Sequence, residues 1–598
     1  MDAPVLSFRR KLVFAGILAV FTAALVLAMV ELGLRIAGFG HATSFVRRAQ
    51  LADGTEVWRE NRWCTAPYFS PELVRRPVPF RLPVEKSPRA YRVFVLGSSA
   101  AMGDPEASFS LARMLEAMLR AAYPEIEFEV VNAGITAINS HVLRGIAADC
   151  ARLQPDLFIV YEGNNEVIGP FGPAGVFAPF FRSHAALRLA ATLKVTRTGQ
   201  AIGALTRSLR SRGGSPDEWR GMQMFLEQQI AADDPRLEAV REHFARNLEN
   251  IIAHARDAGA STLLCTVLTN QRDFPPFLSV HAENLTPAQR AEWQAHFDRG
   301  KAAFASGDID TARDAFEAAA AIDDSHAELT FRGGRLELLQ GDVARARELL
   351  QRAADLDALR FRTDRALNDT IRTVARNHAD AAELVDLVGT VGERSRGGIP
   401  GDDLLYEHVH LTFRGTYEVA RELFPRIAAD LQHRGLADAR EAPFDYDEAR
   451  VRLGFTAYEQ AMIAFELLGR FQGAPFVDQP DGAARIQAWT RRVEIATQLL
   501  SQPGATDALR AAYAQAREWA PHDWILARNA GAMLVARGEP AAALPLLQEA
   551  ERWIDDDIDT LVALARAHEA LGAQIAADAA YARARSLDPR YPGLPPAK

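Results

Sequence analysis

Residues 91–103 read TyrArgValPheValLeuGlySerSerAlaAlaMetGly, an apolar run that stops at glycine and passes into a short polar loop. Ser108–Tyr123 follows, with Leu111, Met114, Leu115, Met118 and Leu119 at helical spacing. The theme then recurs. PheGluValValAsnAlaGly (128–134) predicts a second strand, Ser140–Leu153 a second helix, and AspLeuPheIleValTyrGlu (156–162) a third strand. A long helix near Leu237–Ala258 leads into SerThrLeuLeuCysThrValLeu (261–268), a fourth strand. Strands that are apolar throughout and alternate with helices predict a parallel sheet covered on both faces, a three-layer α/β/α domain. Ligands of such sheets sit beyond the carboxyl ends of the strands, so the loops there carry the chemistry.

Four polar segments matter: GlySerSerAlaAlaMetGly (97–103), AsnAlaGlyIleThr (132–136), GluGlyAsnAsnGlu (162–166) and, much later, TyrGluHisValHisLeuThr (406–412). In order and at strand ends, they resemble the SGNH, or GDSL-like, hydrolase family. That family has GDS after its first strand, a glycine after the second, GxND after the third and DxxH near the end. The resemblance covers about 91–168, 258–277 and 404–433. It implies a flavodoxin-like α/β fold, Ser99 as nucleophile, Gly134 and Asn165 as oxyanion-hole donors beside Ser99, and His410 as base. It also implies an acyl-ester substrate and no cofactor or metal. Ser98, Glu166 and Glu407 stand where the family has aspartates. The orienting acid therefore survives only as the longer carboxylate of Glu407.

The chemistry is coherent without the family. A serine hydroxyl is a weak nucleophile until a base takes its proton, and histidine does so near neutral pH. A carboxylate on the far ring nitrogen fixes the tautomer and stabilises the imidazolium. Glu407, three residues before His410, can fold back to do this, although Asp402 and Asp403 are also near. An oxyanion needs preorganised donors, which the Ser99 and Gly134 N–H groups and the Asn165 amide supply. Taken singly, each motif has a plainer reading. Ser98-Ser99 suits a helix N-cap, Asn164-Asn165 a turn, and His410 a core histidine, with His408 a rival base.

ThrAsnGlnArgAspPhePro (269–275) follows the fourth strand, so Asn270, Arg272 and, in the third motif, Asn164 are candidates to touch substrate or simply to hold loops. GlyProPheGlyProAlaGlyValPheAlaProPhePhe (169–181) reads as an apolar lid or acyl-binding wall, or as a loop packed on the adjacent helix. Ala185–Arg212 is basic and partly amphipathic, which suits a membrane surface.

The full chain of 598 residues exceeds one domain, and its formal charge of −9 offers no basic field for nucleic acid. Three cysteines make no disulfide scaffold. Cys150 and Cys265 sit by apolar segments as buried thiols, and Cys64 lies in a connector. No CxxC pair, HExxH or P-loop occurs, so zinc and nucleotide sites have no signature. A mean hydropathy of −0.10 hides one strongly apolar run. Leu12–Val30 carries no charge and, at about 1.5 Å per residue, reaches across a bilayer core of roughly 30 Å. Arg9, Arg10 and Lys11 precede it, which predicts a single-pass signal anchor in the cytoplasmic membrane with the bulk outside. A cleaved signal peptide is the alternative.

A second period is present. Gly307-Asp308, Ala312, Phe316 and Ala319 recur 34 residues later as Gly341-Asp342, Ala346, Leu350 and Ala353, and Gly300 recurs as Gly334. Gly538, Ala543, Leu547 and Ala550 recur likewise as Gly572, Ala577, Tyr581 and Ala584. This resembles the tetratricopeptide (TPR) repeat, a helix–turn–helix unit, and implies a protein partner. Flanking helices, Thr363–Arg376 among them, are expected to extend the stacks.

The expected organisation is a cytoplasmic tip and anchor (1–37), a connector (38–90), the α/β domain (91–284), an inserted TPR-like region (285–395), the α/β domain's end with its histidine (396–435) and a C-terminal helical domain (436–598). The expected function is an anchored extracytoplasmic serine esterase acting on acyl esters, polysaccharide-borne or lipid. The alternatives are a catalytically degenerate TPR scaffold and an O-acyltransferase working with a membrane partner.

Overall fold

Five apolar stretches pair in parallel to make the sheet on which the polar loops are hung. A computed structural model describes residues 8–51, 53–70, 73–177, 180–209, 220–591 and 593–596. Residues 1–7 of the expected tip, 178–179 of the Gly169–Phe181 segment and 210–212 of the basic segment lie outside the described residues.

Helix Phe8–Ile36 opens the chain, and its 25-residue stretch Leu12–Ile36 is long and apolar enough to cross a membrane. The connector is more than a linker. β1 (Val46–Gln50), β2 (Glu56–Glu60) and β3 (Arg81–Pro83) form an antiparallel sheet in that order. Phe45, Tyr68, Phe69 and Leu82 join the main core from this region. Its strands are short and charged, so their alternation is hard to see in the sequence.

The main sheet comprises β4 (Ala90–Gly97), β5 (Glu127–Gly134), β6 (Leu157–Tyr161), β7 (Ser261–Cys265) and β8 (Glu383–Val385). Its order is β5-β4-β6-β7-β8 and every pairing is parallel. Counted within the sheet this is 2-1-3-4-5, a doubly wound order whose switch point lies beside the first strand. All eight residues of β4 and all five of β6 are buried, as the unbroken apolar runs predict. Each Val, Leu or Phe so buried contributes about 1.5–3 kcal/mol. Helices Leu111–Ala122 and Phe413–His433 pack together as one layer, and Ser140–Cys150, Arg236–Asp257 and Arg365–Asn377 as another.

β8 and helix Arg365–Asn377 correct the expected domain limits. Both fall inside 285–395, yet the strand pairs with β7 and the helix packs on Arg236–Asp257. The hairpin stack therefore stops at Leu356, and the chain rejoins the α/β body afterwards. Three residues give too short a run for periodicity to mark a strand.

Within the insertion, Pro287–Ser306 pairs with Ile309–Ile322, and Ala327–Gln340 with Val343–Leu356. Near the C-terminus, Trp524–Ala536 pairs with Pro540–Trp553, and Ile558–Ala570 with Gln574–Leu587. The repeat glycines perform two jobs. Gly307 and Gly341 end their helices at φ of +80° and +88°, a left-handed conformation that costs other residues energy. Gly300, Gly334 and Gly531 instead permit close packing. A Cβ at these positions would lie 2.5 Å from Phe316, 2.8 Å from Leu350 and 2.6 Å from Leu547 respectively. The chain thus has a TPR-like helical part, a small parallel sheet and one apolar N-terminal helix.

Candidate active site

Two glycines let the first loop lie on the sheet. A Cβ on Gly97 would meet the Tyr161 carbonyl at 2.2 Å, and one on Gly134 would meet Met102 N at 2.5 Å. β4 therefore ends against β6, and the turn Ser99–Met102 rests on the end of β5. The histidine arrives on a tight loop. Leu405 bridges Leu411, Tyr406 N–H donates to the His410 carbonyl at 2.8 Å, and Thr412 caps helix Phe413–His433.

This closure brings together the residues the motifs single out. His410 Nε2 lies 2.8 Å from Ser99 Oγ, and His410 Nδ1 contacts Glu407 Oε1. The Val409 and His410 N–H groups also donate to Glu407, at 3.2 and 3.3 Å, fixing the folded-back carboxylate. Burial opposes the imidazolium, but Glu407 and Asp104 outweigh it and raise the His410 pKa above the ordinary value. Burial likewise opposes ionisation of Glu407, yet His408 and His410 hold its carboxyl well below the usual range.

The rival residues have other roles. His408 sits among Phe274, Phe277, Phe361 and Phe476, and its Nδ1 faces Glu407 Oε2. Burial lowers its pKa despite that carboxylate. Asp402 accepts from Asn270 Nδ2 at 2.8 Å, and Asp403 pairs with Arg272 at 2.6 Å. Neither reaches His410.

The three expected oxyanion donors are unequally placed. Asn165 Nδ2 donates to the Ile138 carbonyl at 2.8 Å, which uses one of its two amide hydrogens, and the residue lines the pocket over Ser99. Gly134 N–H donates to Asn132 Oδ1 at 3.0 Å, so the expected donor is engaged at the end of its own strand. Ser99 opens a helical turn, where first-turn N–H groups lack intrahelical acceptors. Glu166 accepts from Ser140 N and Oγ at 2.8 and 2.7 Å and braces the neighbouring helix.

Two substrate-contact expectations are corrected. Asn164 is buried, and its Oδ1 accepts from Thr363 N and Oγ1 at 3.1 and 2.8 Å. Asn270 is fully buried; its N–H donates to the His408 carbonyl at 2.9 Å. Both hold loops, because their short amides find partners before reaching the opening: a backbone N–H and a hydroxyl for Asn164, the Asp402 carboxylate and the Asp273 N–H for Asn270. Arg272 does the same through Asp273, Asp403 and the Ile399 carbonyl.

The pocket has a volume of about 470 Å³ and reaches Ser99, Asn165 and His410. Ile168 and Phe177 make one wall, so the described part of Gly169–Phe181 is packed structure: Ala174 N–H donates to the Val167 carbonyl and Phe171 is fully buried. Met222 and Phe225 add a second wall. The third comes from outside the α/β domain, from Gly469, Arg470, Gly473 and Phe476 at the end of helix Ala457–Phe471. Arg470 pairs with Asp104, whose other oxygen lies 3.5 Å from His410 Nε2. Sequence reading missed both, since nothing local marks an arginine in a distant helix as part of a site.

No protein-family model and no curated protein matches the chain. Among solved structures it is similar to the TPR2AB-domain:pHSP90 complex of yeast Sti1, at 12% identity over 50% of this chain and 92% of that chain, with a TM-score of 0.14. It is similar to the P58(IPK) TPR domain at 13% identity over 50% of this chain and 94% of that one, TM-score 0.16. It is also similar to Naa15/Naa10 bound to HypK-THB, at 14% identity over 69% and 57%, TM-score 0.14. The TPR-like description rests on the chain's own stacked hairpins and their 34-residue period.

Proposed function

We infer that the protein is an SGNH-type serine hydrolase of acyl esters, held outside the cytoplasmic membrane by its N-terminal helix. One observation carries the reading: Ser99 Oγ, His410 and Glu407 are linked in series, although Ser99 and His410 come from opposite ends of the domain. His410 takes the Ser99 proton as Oγ attacks the ester carbonyl carbon. The carbonyl oxygen becomes an oxyanion held by the Ser99 N–H and the Asn165 amide. His410 returns the proton to the departing alkoxide as the C–O bond breaks, leaving an acyl-Ser99. Water, deprotonated by His410, then attacks the acyl carbon; the bond to Oγ breaks, the acid leaves and His410 returns the proton to Ser99. A sugar hydroxyl in place of water makes the same site a transferase.

The expected experiment is hydrolysis of p-nitrophenyl acetate and labelling by a serine-directed fluorophosphonate, both lost in Ser99→Ala. Activity and labelling that survive Ser99→Ala sink the mechanism.

A second reading, a scaffold whose α/β domain is catalytically silent, is favoured by the stacked hairpins and by the engaged Gly134 N–H. It predicts neither turnover nor labelling in the unsubstituted chain. On either reading the hairpin stacks are the part that docks a protein partner.

A further inference from the structure

Helices His184–Val195 and Arg197–Leu209 are apolar on faces that the fold does not cover. Leu187 and Ala191, one turn apart, point into the main core. Leu189 and Leu193, also one turn apart, are 63% and 53% exposed, and Ile202 on the next helix is 58% exposed. A helix between a core and water carries polar residues outside, so this pair is built to face something other than water.

The anchor identifies what that is. Glu31 is the first charge after the uncharged run Leu12–Val30. It accepts from Arg197 N at 3.1 Å, Thr198 N at 2.8 Å and Thr198 Oγ1 at 2.9 Å. Gln200 adds two bonds to the His41 backbone, at 2.9 and 3.0 Å. The start of helix Arg197–Leu209 is thereby tied to the level at which the uncharged run ends, about one turn before the helix itself stops at Ile36. Residues 184–209 contain Arg188, Lys194, Arg197 and Arg207 and no acidic residue, against a chain total of −9. Exposed aliphatic side chains suit a bilayer, and the exposed Arg188, beside Leu189, adds a cation to that face, whereas Lys194 lies over the Phe171 ring at 5.4 Å.

A cavity of about 670 Å³ lies between this helix pair and the connector, lined by Phe39, Trp63, Tyr68 and Phe69 on the connector side and by the polar Lys194 and Gln200 of the helices. It shares Phe177 with the catalytic pocket. We propose that helices His184–Leu209 rest on the bilayer beside the anchor, and that this cavity receives the acyl chain of a membrane-borne ester whose carbonyl is presented to Ser99. The substrate half rests on the hydrolase reading; the surface half does not.

The test uses the full chain in nanodiscs of phosphatidylcholine and phosphatidylglycerol. An environment-sensitive fluorophore is placed at Leu193→Cys, Ile202→Cys or, as a remote control, Ile575→Cys, which is 90% exposed in the C-terminal hairpins. The three native cysteines are buried and left unlabelled. Doxyl-labelled lipid is expected to quench the first two labels several-fold more than the third; equal quenching overturns the surface. In parallel, the Leu189→Gln/Leu193→Gln/Ile202→Gln variant is expected to lose at least fivefold in hydrolysis of a long-chain ester in the disc while keeping p-nitrophenyl acetate turnover. No loss, or equal loss of both activities, overturns the acyl-chain site. Absent acetate turnover in the unsubstituted chain instead refutes the reading of Ser99, and quenching still decides the surface.

Discussion

The two helical blocks are built alike, yet they stand differently to the pocket. The inserted block lies in the chain between β7 and the histidine loop. None of its hairpin residues lines the pocket; it ties to the body below, through Arg335 to Asp273 at 3.0 Å and Gln271 to Gln351 at 2.7 Å. The C-terminal region follows the α/β domain entirely, and its first long helix supplies Arg470 and a pocket wall. Proximity in sequence and proximity to the site are thus inverted. An insertion leaves and rejoins the body at neighbouring points and can project away, whereas a C-terminal extension is free to fold back over an open sheet end.

The largest expected effect lies at the Ser99–His410–Glu407 chain itself. His410→Ala is expected to lower kcat for an acyl ester by roughly 10⁶-fold, and Glu407→Gln by about 10⁴-fold, measured against fluorophosphonate-labelled active-site concentration. A loss under tenfold for Glu407→Gln means another group orients His410.

Next in size, Arg470→Ala separates the blocks. Rate is expected to fall more than tenfold because Asp104 loses its buried partner. The pH profile gives the sign. On the hydrolase reading His410 acts as a base when neutral, so the rising limb follows its raised pKa. Asp104→Asn removes a carboxylate that favours the imidazolium and shifts the limb to lower pH. Arg470→Ala removes a cation that disfavours it and shifts the limb to higher pH. Identical limbs in all three proteins would show that the C-terminal helix only shapes the pocket.

Leu350→Ala, in the inserted block, is expected to cost about 2–5 kcal/mol of stability by denaturant unfolding, with kcat on a short ester unchanged well below the transition. A matching fall in kcat would tie that block to the site after all.

The smallest test uses adjacent glycines. Gly334→Ala places a Cβ 2.8 Å from Leu350 and is expected to destabilise by about 1–3 kcal/mol. Gly333→Ala meets only Leu349, at 3.8 Å, and is expected to stabilise by up to about 1 kcal/mol through helix propensity. Equal effects would mean that the 34-residue period does not reflect close helix packing.

Much of this was legible in residue order. Unbroken apolar runs marked β4 to β7, and the repeat period marked each hairpin, because both signals are local. β8 and the connector sheet were not, since three to five residues with charges among them carry no distinct periodicity. At the site, Ser99, His410 and Glu407 were legible because each sits at a strand end or on a short loop. For Asn164 and Asn270 the sequence leaves two readings open: a polar residue near a site looks the same whether it faces ligand or braces a loop. Only burial separates the two, and both are buried.

By itself the sequence determined the local units: one apolar helix, alternating strands and helices, 34-residue hairpins, and a serine, a carboxylate and a histidine of suitable type. Spacing and hydrophobic pattern suffice for these because each is settled within a few turns of chain. The tertiary structure alone decided which histidine meets Ser99, that Gly134 N–H is already engaged, and that Asp104 and Arg470 complete the pocket. Those outcomes depend on competition among partners brought together from hundreds of residues away, and no local pattern records who wins it.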